Sequence, residues 1–396
     1  MRLLFIAPCI PQFNGIGWEQ RAFSFLKAYA QEADVDLICC DFGKSKQNIE
    51  DVSQLDQICR SVQIFQKDEI LENVSVGMKL WRLFSLDPFF ATTSLKPEFL
   101  SVINKSIADA DLIHAFRLEM LSFVPRVYWG RVLLDLDECH ITLRKRQQAL
   151  NHSQKFDLEN FLRDLDSYRV YRYQKQAISK VKITFVSSEV ERKRLGEKQK
   201  ISVIPNIANS SHTERINSAI NTQNILFVGN LSMSANIDAI LYFVKEIWDK
   251  ILIEKPDCNL IIAGRNPTDE ILQLANQKGI KLYANVPDLK PIYQTATVAI
   301  APIRFGAGTK IKVLEAFGFG VPVVSTSMGA EGLLVQHEKH LLIADSADDF
   351  AKSCIRLLNE SETRQELALL AWDYFREKHD AQKVYDQITR VLFQEN

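Results

Sequence analysis

Short apolar runs alternate with longer amphipathic stretches through the first half of the chain. A helical pattern spans about 18–31, and a long polar, helix-favouring stretch spans about 142–179. The apolar runs that predict strands lie at 3–8, 35–40, 110–116, 131–137 and 182–188. Continuous apolar strands separated by helices are typical of a parallel sheet covered on both faces. The first half therefore predicts one α/β domain.

The same alternation restarts after an irregular segment. Residues 201–223 contain Pro205, several Asn and Ser residues and little periodicity, which indicates a linker near 206–222. Strands are predicted beyond it at 224–230, 258–265, 296–303 and 321–327, with helices at about 235–254, 267–277, 309–318 and 346–359. The chain thus predicts two α/β domains, and in such sheets ligands bind beyond the carboxyl ends of the strands.

Composition narrows the class of protein. The 396 residues are 46% hydrophobic and 24% charged, which is typical of a globular protein and excludes intrinsic disorder. The formal net charge of −1 provides no overall attraction to nucleic acid. Seven scattered cysteines without a Cys-x-x-Cys motif argue against a disulfide scaffold or a zinc site. The first apolar run soon reaches Pro8 and Pro11, so we interpret it as a buried strand rather than a signal peptide and expect a cytoplasmic protein.

One glycine-bearing loop combines several features of an anion site. In APIRFGAGTKIKVLEAFGFGVPVV (301–324), a predicted strand ends at Pro302, and a helix is predicted to begin at about Thr309. Glycines allow a backbone to approach a ligand closely, and a helix N-terminus favours phosphate. Lys310 and Lys312 would add positive charge. The alternative is a tight turn in which Thr309 caps the helix and the lysines are solvated.

This segment resembles the signature of the retaining nucleotide-sugar glycosyltransferases of family 4, in the subgroup whose helix reads G-A-G-T-x-I-K-x-L-E-A. Four further pieces follow the order and spacing of that family: FVGN with SANIDAILYFVKEIW, KPDCNLIIAGRNP, VPDLKPIYQTATVAIAP and VPVVSTSMGAEGL. The resemblance covers the greater part of the second half. The first half matches only in its general pattern.

The resemblance implies the GT-B fold, with two Rossmann-like domains whose parallel sheets face each other across a cleft. Residues 1–205 would form an N-terminal acceptor-binding domain, and 206–375 would form a C-terminal nucleotide-sugar donor domain. Residues 376–396 would form a helix that packs back on the N-terminal domain.

The resemblance also implies a donor site. Backbone amides in the glycine loop would contact the donor sugar or diphosphate, Glu315 would hold the ribose hydroxyls, and other loops would border the base and the pyrophosphate. The glycine loop contributes Gly306, Ala307, Gly308 and Thr309; the base contacts Val286 and Pro287; the pyrophosphate lies beside Gly229 and Asn230; and Gly15 and Gly17 approach it from the first domain. For Gly15 and Gly17 a plain turn is the alternative, because a lone Gly-x-Gly is a weak signal.

Two departures from the family pattern bear on the donor. Many members carry a glutamate where this chain has Ala307, so contacts to the donor sugar must come from elsewhere. Many also carry Arg and Lys after the first strand of the donor domain, whereas residues 230–234 here are NLSMS, without a cation. The positive charge must then come from another loop, and the candidates are Arg265, Arg304, Lys310 and Lys312, with Lys312 the first choice.

In the first domain, polar residues follow two predicted strands. His114 ends the strand ADLIHAF, and in relatives a histidine in the matching place lines the catalytic cleft; a structural histidine is the alternative. Asp135, Asp137 and Glu138 form an acidic cluster in LLDLDECH. We expect this cluster to contact the acceptor or to cap the following helix rather than to hold a metal ion, since the family needs none.

The implied activity is transfer of a sugar from a nucleoside-diphosphate sugar to a hydroxyl acceptor with retention at the anomeric carbon, in polysaccharide or glycoconjugate biosynthesis. Lys312, Glu315 and His114 are the predicted catalytic residues, and no cofactor or metal is expected. A GT-B nucleotide-sugar 2-epimerase and a non-catalytic scaffolding subunit are the alternatives.

The acceptor stays open among glycans, lipid-linked molecules and small molecules. Residues 126–200 hold 17 Lys and Arg residues against 10 Asp and Glu residues. The segment WRLFSLDPFF (81–90) adds aromatic and apolar residues. These features permit peripheral contact with an anionic membrane at its inner face. Solvated helix faces and a buried aromatic loop are the alternative.

Overall fold

A computed structural model describes residues 1–13, 15, 17–42, 49–72, 85–136, 158–196, 200–208, 222–306 and 309–393. The chain divides into two compact units. The first comprises Met1–Pro205 and Val384–Asn396, and the second comprises Asn206–Lys383. No helix in the described ranges is both long enough and apolar enough to cross a membrane.

The first unit is built on a parallel sheet of seven strands in the order β3-β2-β1-β4-β5-β6-β7. The strands are β1 (Arg2–Ala7), β2 (Asp34–Asp41), β3 (Ser61–Gln66), β4 (Leu112–Phe116), β5 (Val132–Leu136), β6 (Ile183–Val186) and β7 (Ile201–Val203). The central strands β1, β4 and β5 are almost wholly buried, which explains their uninterrupted apolar sequences.

Helices connect these strands. They are α1 (Gly17–Tyr29), α2 (Ile49–Ile58), α3 (Lys67–Ile70), α4 (Pro97–Asp109), α5 (Leu158–Lys180) and α6 (Glu189–Leu195), with short 3₁₀ turns at Phe89–Thr92, Met120–Phe123 and Arg126–Arg131. Proline at the first position of α4 provides a helical φ angle where the missing N–H costs nothing. Ser188 caps α6 by accepting a hydrogen bond from the Glu191 amide.

The second unit repeats the design with a parallel sheet of six strands in the order β10-β9-β8-β11-β12-β13. The strands are β8 (Asn224–Val228), β9 (Asn259–Gly264), β10 (Ile280–Ala284), β11 (Val298–Ala301), β12 (Val323–Ser325) and β13 (Leu342–Ile343). The helices are α7 (Ser234–Tyr242), α8 (Asp249–Glu254), α9 (Asp269–Leu274), α10 (Lys290–Thr295), α11 (Ile311–Gly318), α12 (Ala347–Asn359) and α13 (Ser361–Lys378). A π-helical turn, Phe243–Trp248, joins α7 to α8.

The last helix, α14 (Ala381–Phe393), carries the chain back to the first unit. Its Gln387 side chain donates a hydrogen bond to the Val203 carbonyl oxygen at 2.8 Å. Apolar residues on one face of the helix are buried: Val384, Ile388 and Leu392. The first unit is therefore completed by both ends of the chain.

The fold confirms the prediction of two α/β units with parallel sheets. The apolar runs locate the buried strands, and the structure adds β3, β7, β10 and β13, which the pattern did not predict. These are edge or next-to-edge strands with part-exposed or very short sequences; β10, for example, buries only Ile280 fully. Helix α5 falls within the predicted stretch 142–179, of which residues 142–157 lie outside the described part of the chain.

A buried ion pair joins three elements of the first unit. The guanidinium of Arg21 in α1 donates hydrogen bonds to both carboxylate oxygens of Asp135 in β5, with Nε–Oδ2 at 2.9 Å and Nη2–Oδ1 at 3.1 Å. Arg21 Nη1 also donates to the Ile204 carbonyl oxygen at 2.8 Å, just after β7. Both charged side chains are essentially inaccessible to water. This geometry fixes α1 against the carboxyl ends of β5 and β7, because an unpaired charge in the same place would be strongly unfavourable.

Replacing Asp135 by Ala therefore leaves a buried guanidinium without its carboxylate. We expect the free energy of unfolding of the first unit to fall by about 3–5 kcal/mol, measured by urea denaturation. The matched control is Glu338→Ala, which breaks the exposed pair between Arg356 and Glu338 and should leave the midpoint unchanged. Equal midpoints for the two variants would contradict a structural role for the Arg21–Asp135 pair.

Candidate functional site

Polar and glycine-containing loops of the second unit meet where the strand order reverses. Strands β8 and β11 are neighbours in the centre of the sheet. From β8 the chain continues to β9 on one side of this pair, and from β11 it continues to β12 on the other side. In open parallel sheets, such a reversal opens a crevice beyond the carboxyl ends of the strands, and ligands bind there. The loops at this edge begin at Gly229 after β8 and at Pro302 after β11.

The loops after β8 and β9 are tied together by their backbones. The Gly229 amide donates to the Ala263 carbonyl oxygen at 3.1 Å, and the Leu231 amide donates to the Arg265 carbonyl oxygen at 2.8 Å. A Cβ atom on Gly264 would lie 1.7 Å from the Gly229 carbonyl oxygen, so only glycine permits this approach. Because the Gly229 amide is already used, Gly229 borders the crevice without offering its own N–H to a ligand.

Lys312 of α11 lies over this loop in a half-buried position. Its Nζ atom is 3.9 Å from the centre of the Phe227 ring and donates to Asn236 Oδ1 at 2.7 Å. Asn236 in turn donates through Nδ2 to the Asn230 carbonyl oxygen at 2.8 Å. Burial lowers the pKa of Lys312 to about 7, and the nearby charge of Lys310 lowers it further, while Glu315 opposes the shift.

The glycine loop before α11 approaches the same lysines. Gly306 has φ = 144°, a backbone conformation that favours glycine, and a Cβ atom there would lie 3.3 Å from Lys310 Nζ. The Thr309 hydroxyl is buried and has no hydrogen-bond partner among the described residues. Helix α11 begins at Ile311 with Lys310 as its N-cap, two residues later than the sequence predicted. Ala307 and Gly308 lie outside the described residues.

Glu315 is held by a tyrosine that the sequence argument did not single out. Tyr293 of α10 is buried, stacks on Phe319 with ring centres 4.4 Å apart, and donates a hydrogen bond to the Glu315 carboxylate. Burial raises the pKa of Tyr293 well above its usual value, and the charge and hydrogen bond of Glu315 raise it further. The phenol therefore stays protonated and orients the carboxylate.

Arg304 is committed to an ion pair. Its Nε donates to Asp238 Oδ2 at 2.9 Å, and its guanidinium lies 4.6 Å from the centre of the Tyr242 ring. Both partners belong to α7, so the loop after β11 is fastened to the helix after β8. With its charge balanced by Asp238, Arg304 adds little net positive potential, and the lysines of α11 carry that role.

Beyond β10 lie two more of the predicted donor residues, Val286 and Pro287, next to Asn285. The Asn285 amide donates to the Gly264 carbonyl oxygen at 2.8 Å, and Asn285 Oδ1 accepts from the Asn266 amide at 2.9 Å. This asparagine clamps the loops after β9 and β10 together. Val286 is half-buried against the core of the second unit, and Pro287 is exposed. Arg265 is half-buried at the end of β9.

The structure corrects the prediction that His114 takes part in the reaction. Its side chain has no exposed surface, stacks on Phe5 at 4.4 Å and packs on the rings of Phe25 and Phe185. Its Nδ1 shares a hydrogen bond with the Tyr29 hydroxyl at 2.8 Å. Burial lowers the pKa of His114 well below its usual value, so the imidazole is neutral. His114 is a core residue of the first unit.

The structure also corrects the assignment of Asp135 to the acceptor. Its carboxylate is buried against Arg21, as described above, and presents no surface to a ligand. Asp137 and Glu138 lie outside the described residues. Gly15 is buried, and its carbonyl oxygen accepts from Gln20 Nε2 at 2.9 Å, while Gly17 is the half-buried first residue of α1.

Three residues of this site were missed by sequence reasoning: Asn236, Asp238 and Tyr293. Each contacts another residue of the site that is distant in sequence. Asn236 contacts Lys312 across 76 residues, and Asp238 contacts Arg304 across 66. Tyr293 contacts Glu315 across 22 residues. The polar positions of Asn236 and Asp238 in an otherwise apolar helix, SANIDAILY, were the available signal. In the described ranges, no group of three or more His, Cys, Asp and Glu residues could hold a metal ion.

The part of the chain that contains this site is similar to a described sequence family. Residues 222–360 match the family model described as glycosyl transferases group 1. An uncharacterised 44.6 kDa protein from the cps region of Klebsiella pneumoniae is 34% identical over 181 residues, which is 44% of this chain and 46% of that protein. The chain thus matches less than half the length of this curated relative.

Solved structures resemble the whole chain. The Anabaena protein Alr3699/HepE, crystallised with UDP and glucose, is 14% identical with a TM-score of 0.68, and the match covers 100% of both chains. Sucrose-phosphate synthase from Thermosynechococcus elongatus is also 14% identical, with a TM-score of 0.71 over 100% of this chain and 99% of that one. At this identity the likeness concerns the fold. The chain therefore has the fold of the GT-B glycosyltransferases, and its residues 222–360 carry the sequence pattern of glycosyltransferase group 1.

Proposed function

We propose that this protein is a retaining glycosyltransferase that moves a sugar from a nucleoside-diphosphate sugar to a hydroxyl acceptor. The observation that carries the proposal is the Lys312 amine, held 2.7 Å from Asn236 at the reversal point of the second sheet. The family match over residues 222–360 includes this lysine, the glycine loop and Glu315. A function in polysaccharide or glycoconjugate biosynthesis agrees with the cps-region relative.

Lys312 would stabilise the leaving diphosphate. Its pKa of about 7 means that the amine is only partly charged near neutral pH, since the aromatic face and one amide oxygen replace little of its hydration. An incoming diphosphate would raise that pKa again and fix the proton on the amine. In a water-poor crevice, a fixed cation acts far more strongly than in bulk water. Lys310 and the backbone amides of Gly306–Thr309 would add to the same potential.

Glu315 would accept hydrogen bonds from hydroxyls of the donor. Its hydrogen bond from Tyr293 occupies part of the carboxylate and fixes its direction, which leaves acceptor capacity for a ribose. The loops at Gly229–Asn230, Arg265 and Val286–Pro287 would border the pyrophosphate and the base. The Anabaena protein was crystallised with UDP-glucose as well as UDP, which supports uridine diphosphate as the first nucleotide to test.

The reaction would proceed by front-face substitution without a metal ion. The acceptor oxygen forms its bond to the anomeric carbon as the bond from that carbon to the diphosphate oxygen breaks. The bonding electrons go to the diphosphate, and the acceptor proton moves to a phosphate oxygen. The protein would contribute position and electrostatic stabilisation, so no strong protein base is required. This scheme agrees with a His114 that is buried far from solvent.

Turnover is the first test of the assignment. With UDP-glucose as donor and a pool of glycoside acceptors, UDP release that depends on acceptor distinguishes transfer from epimerisation and from hydrolysis. We expect Lys312→Ala and Glu315→Gln each to lower kcat by about 10²–10³-fold, as for loss of one charge-stabilising group. Lys339→Ala, at an exposed lysine of the same unit, is the control. Near-normal turnover in both site variants would refute the site.

The pH dependence of donor binding is a second test. Above pH 7 the Lys312 amine is mostly uncharged, so binding a diphosphate requires proton uptake, and the affinity should fall by about tenfold between pH 6 and pH 8. Calorimetry with UDP-glucose in buffers of different ionisation enthalpy measures that uptake. In Lys312→Met the affinity should be lower and the difference between pH 6 and pH 8 should disappear. An equal pH dependence in both proteins would show that Lys312 does not titrate with binding.

Peripheral membrane contact at the inner, cytoplasmic face remains part of the proposal. Helix α5 exposes three aromatic side chains, Phe161, Tyr168 and Tyr171, of which Tyr168 is 60% exposed. Basic residues share the exposed surface, and Lys175 Nζ lies 5.7 Å from the centre of the Tyr171 ring. Aromatic and basic side chains on one helix suit the headgroup region of an anionic bilayer.

Liposome co-sedimentation tests this surface. The protein should bind phosphatidylglycerol vesicles at low salt, bind them less at high salt, and leave phosphatidylcholine vesicles unbound. The variant Tyr168→Ser/Tyr171→Ser should lose most of the binding, whereas Tyr283→Ser, an exposed tyrosine of the second unit, should retain it. Absence of binding at either salt concentration would end the membrane proposal.

A further inference from the structure

The first unit contains a cavity that the donor site does not use. It has a volume of about 640 Å³ and lies beyond the carboxyl ends of β1, β2 and β4. Pro8 follows β1, Asp41 ends β2, and Arg117 follows β4, so three adjacent strands deliver residues to it. This is the reversal point of the first sheet, and the volume falls in the range of about 300–1,000 Å³ typical of small-molecule sites.

Arg117 is held in an unfavourable backbone conformation at the edge of this cavity. Its φ angle is +76°, a region that costs a non-glycine residue of the order of 1 kcal/mol or more. Its amide donates to the Asp135 carbonyl oxygen at 2.9 Å, which fixes the turn. The guanidinium lies 5.0 Å from the centre of the Trp18 ring, and Nε is 3.7 Å from Glu119 Oε2. The protein thus maintains a strained residue to place an indole–guanidinium pair in the wall.

The described residues of the wall carry more negative than positive charge. Among the described residues that line the cavity, three are carboxylates, Glu19, Asp41 and Glu119, and one is a cation, Arg117. The single cation is already engaged by Glu119 and by the Trp18 ring. A phosphate or carboxylate entering this space would meet like charges in a partly desolvated setting. The wall therefore disfavours anionic ligands, and its carboxylates can accept hydrogen bonds from the hydroxyls of a ligand.

The rest of the wall is aromatic and apolar. Phe42, Phe90 and Phe123 line it together with Trp18, and the Trp18 indole N–H is buried without a hydrogen-bond partner among the described residues. Aromatic rings that cover C–H faces, beside carboxylates that accept from hydroxyls, match the two surfaces of a sugar ring.

We propose that this cavity binds a neutral sugar ring at the end of the acceptor, and that its carboxylates exclude phosphorylated and acidic acceptors. The proposal rests on the proposed function, since it names the acceptor class of the same reaction. The ring would pack against the aromatic side chains of the wall, Trp18 among them, and donate hydroxyl hydrogens to Glu19, Asp41 and Glu119. The acceptor is then a neutral glycan.

Saturation-transfer NMR on the full chain with UDP present tests the class of ligand. The probes are the methyl glycosides of glucose, galactose, mannose and N-acetylglucosamine, each paired with its uronate or 6-phosphate. We expect at least one neutral glycoside to bind and its anionic partner to bind at least tenfold more weakly. Binding by none of the neutral glycosides, or anionic binding of equal strength, would overturn the proposal.

Octyl glucoside below its critical micelle concentration separates a sugar site from a lipid site. Saturation confined to the ring protons is the expected result. Saturation of the alkyl protons alone would show that the cavity takes a lipid chain, and the proposal would fail.

Two tryptophans provide a matched pair of variants. Trp372 also has a buried, unpartnered indole N–H among the described residues and an arginine, Arg376, 5.1 Å from its ring, yet it lies in the second unit away from this cavity. Trp18→Ala should weaken glycoside binding at least tenfold, and Trp372→Ala should leave it unchanged. Equal effects would show that Trp18 does not contact the ligand.

Two further variants keep the test decisive if Trp18→Ala does not fold. Arg117→Gly suits the positive φ angle and removes the guanidinium that lies against Trp18, so glycoside binding should weaken. Glu119→Gln removes one negative charge and should narrow the difference between a neutral glycoside and its uronate. An unchanged difference in Glu119→Gln, together with unchanged affinity in Arg117→Gly, would contradict the proposed wall.

Measurements of UDP binding and of glycoside binding test the two proposals separately. UDP binding depends on groups of the second unit, and glycoside binding depends on the first. UDP binding without glycoside binding would overturn this inference and leave the transferase proposal intact. Glycoside binding without UDP binding would overturn the transferase proposal.

Discussion

The proposed donor site of the second unit depends on a lysine whose amine is partly removed from water. Lys312 Nζ faces the Phe227 ring and donates a hydrogen bond to the side-chain oxygen of Asn236. An amine in this setting gives up its proton near neutral pH, because burial penalises the charged form. An anion bound beside Lys312 would therefore stabilise the charged form of the amine. A Cβ atom would lie 3.1 Å from Lys312 Nζ if added at Gly229 and 3.3 Å from Lys310 Nζ if added at Gly306, so glycine keeps side-chain atoms away from both amines.

The supporting contacts show how the fold maintains that arrangement. Asn236 connects Lys312 to the loop after β8, Asp238 fastens Arg304 of the loop after β11, and Tyr293 directs Glu315. Each contact joins elements that are distant in sequence but adjacent at the reversal point of the sheet. The site is therefore organised by helices α7, α10 and α11 rather than by the loops alone, and these helices pack on a continuous apolar core.

The sequence predicted the two sheets and the donor loops because both depend on local pattern. Buried strands such as β1 and β9 are nearly continuous apolar runs, and the glycine loop with Lys312 and Glu315 lies in one short segment. It did not predict the burial of His114 and Asp135. The sequence pattern suggested strand ends, where polar residues often face ligands, but both residues lie within buried strands. Aromatic rings enclose His114, and Arg21 pairs with Asp135. The hydrogen-bonding partners, Tyr29 for His114 and Arg21 for Asp135, lie 85 or more residues away. No local sequence pattern therefore indicates these contacts.

The reversal points of the two sheets have opposite electrostatic character. Lysines dominate the described wall at the second, whereas carboxylates outnumber the single arginine at the first.

The most direct measurement is a crystal structure of the protein with UDP-glucose. The account predicts the diphosphate within hydrogen-bonding distance of Lys312 Nζ and beside Gly306–Thr309, with a hydroxyl of the ribose on Glu315. A nucleotide bound elsewhere, or Lys312 still bonded only to Asn236 with the donor in place, would contradict it.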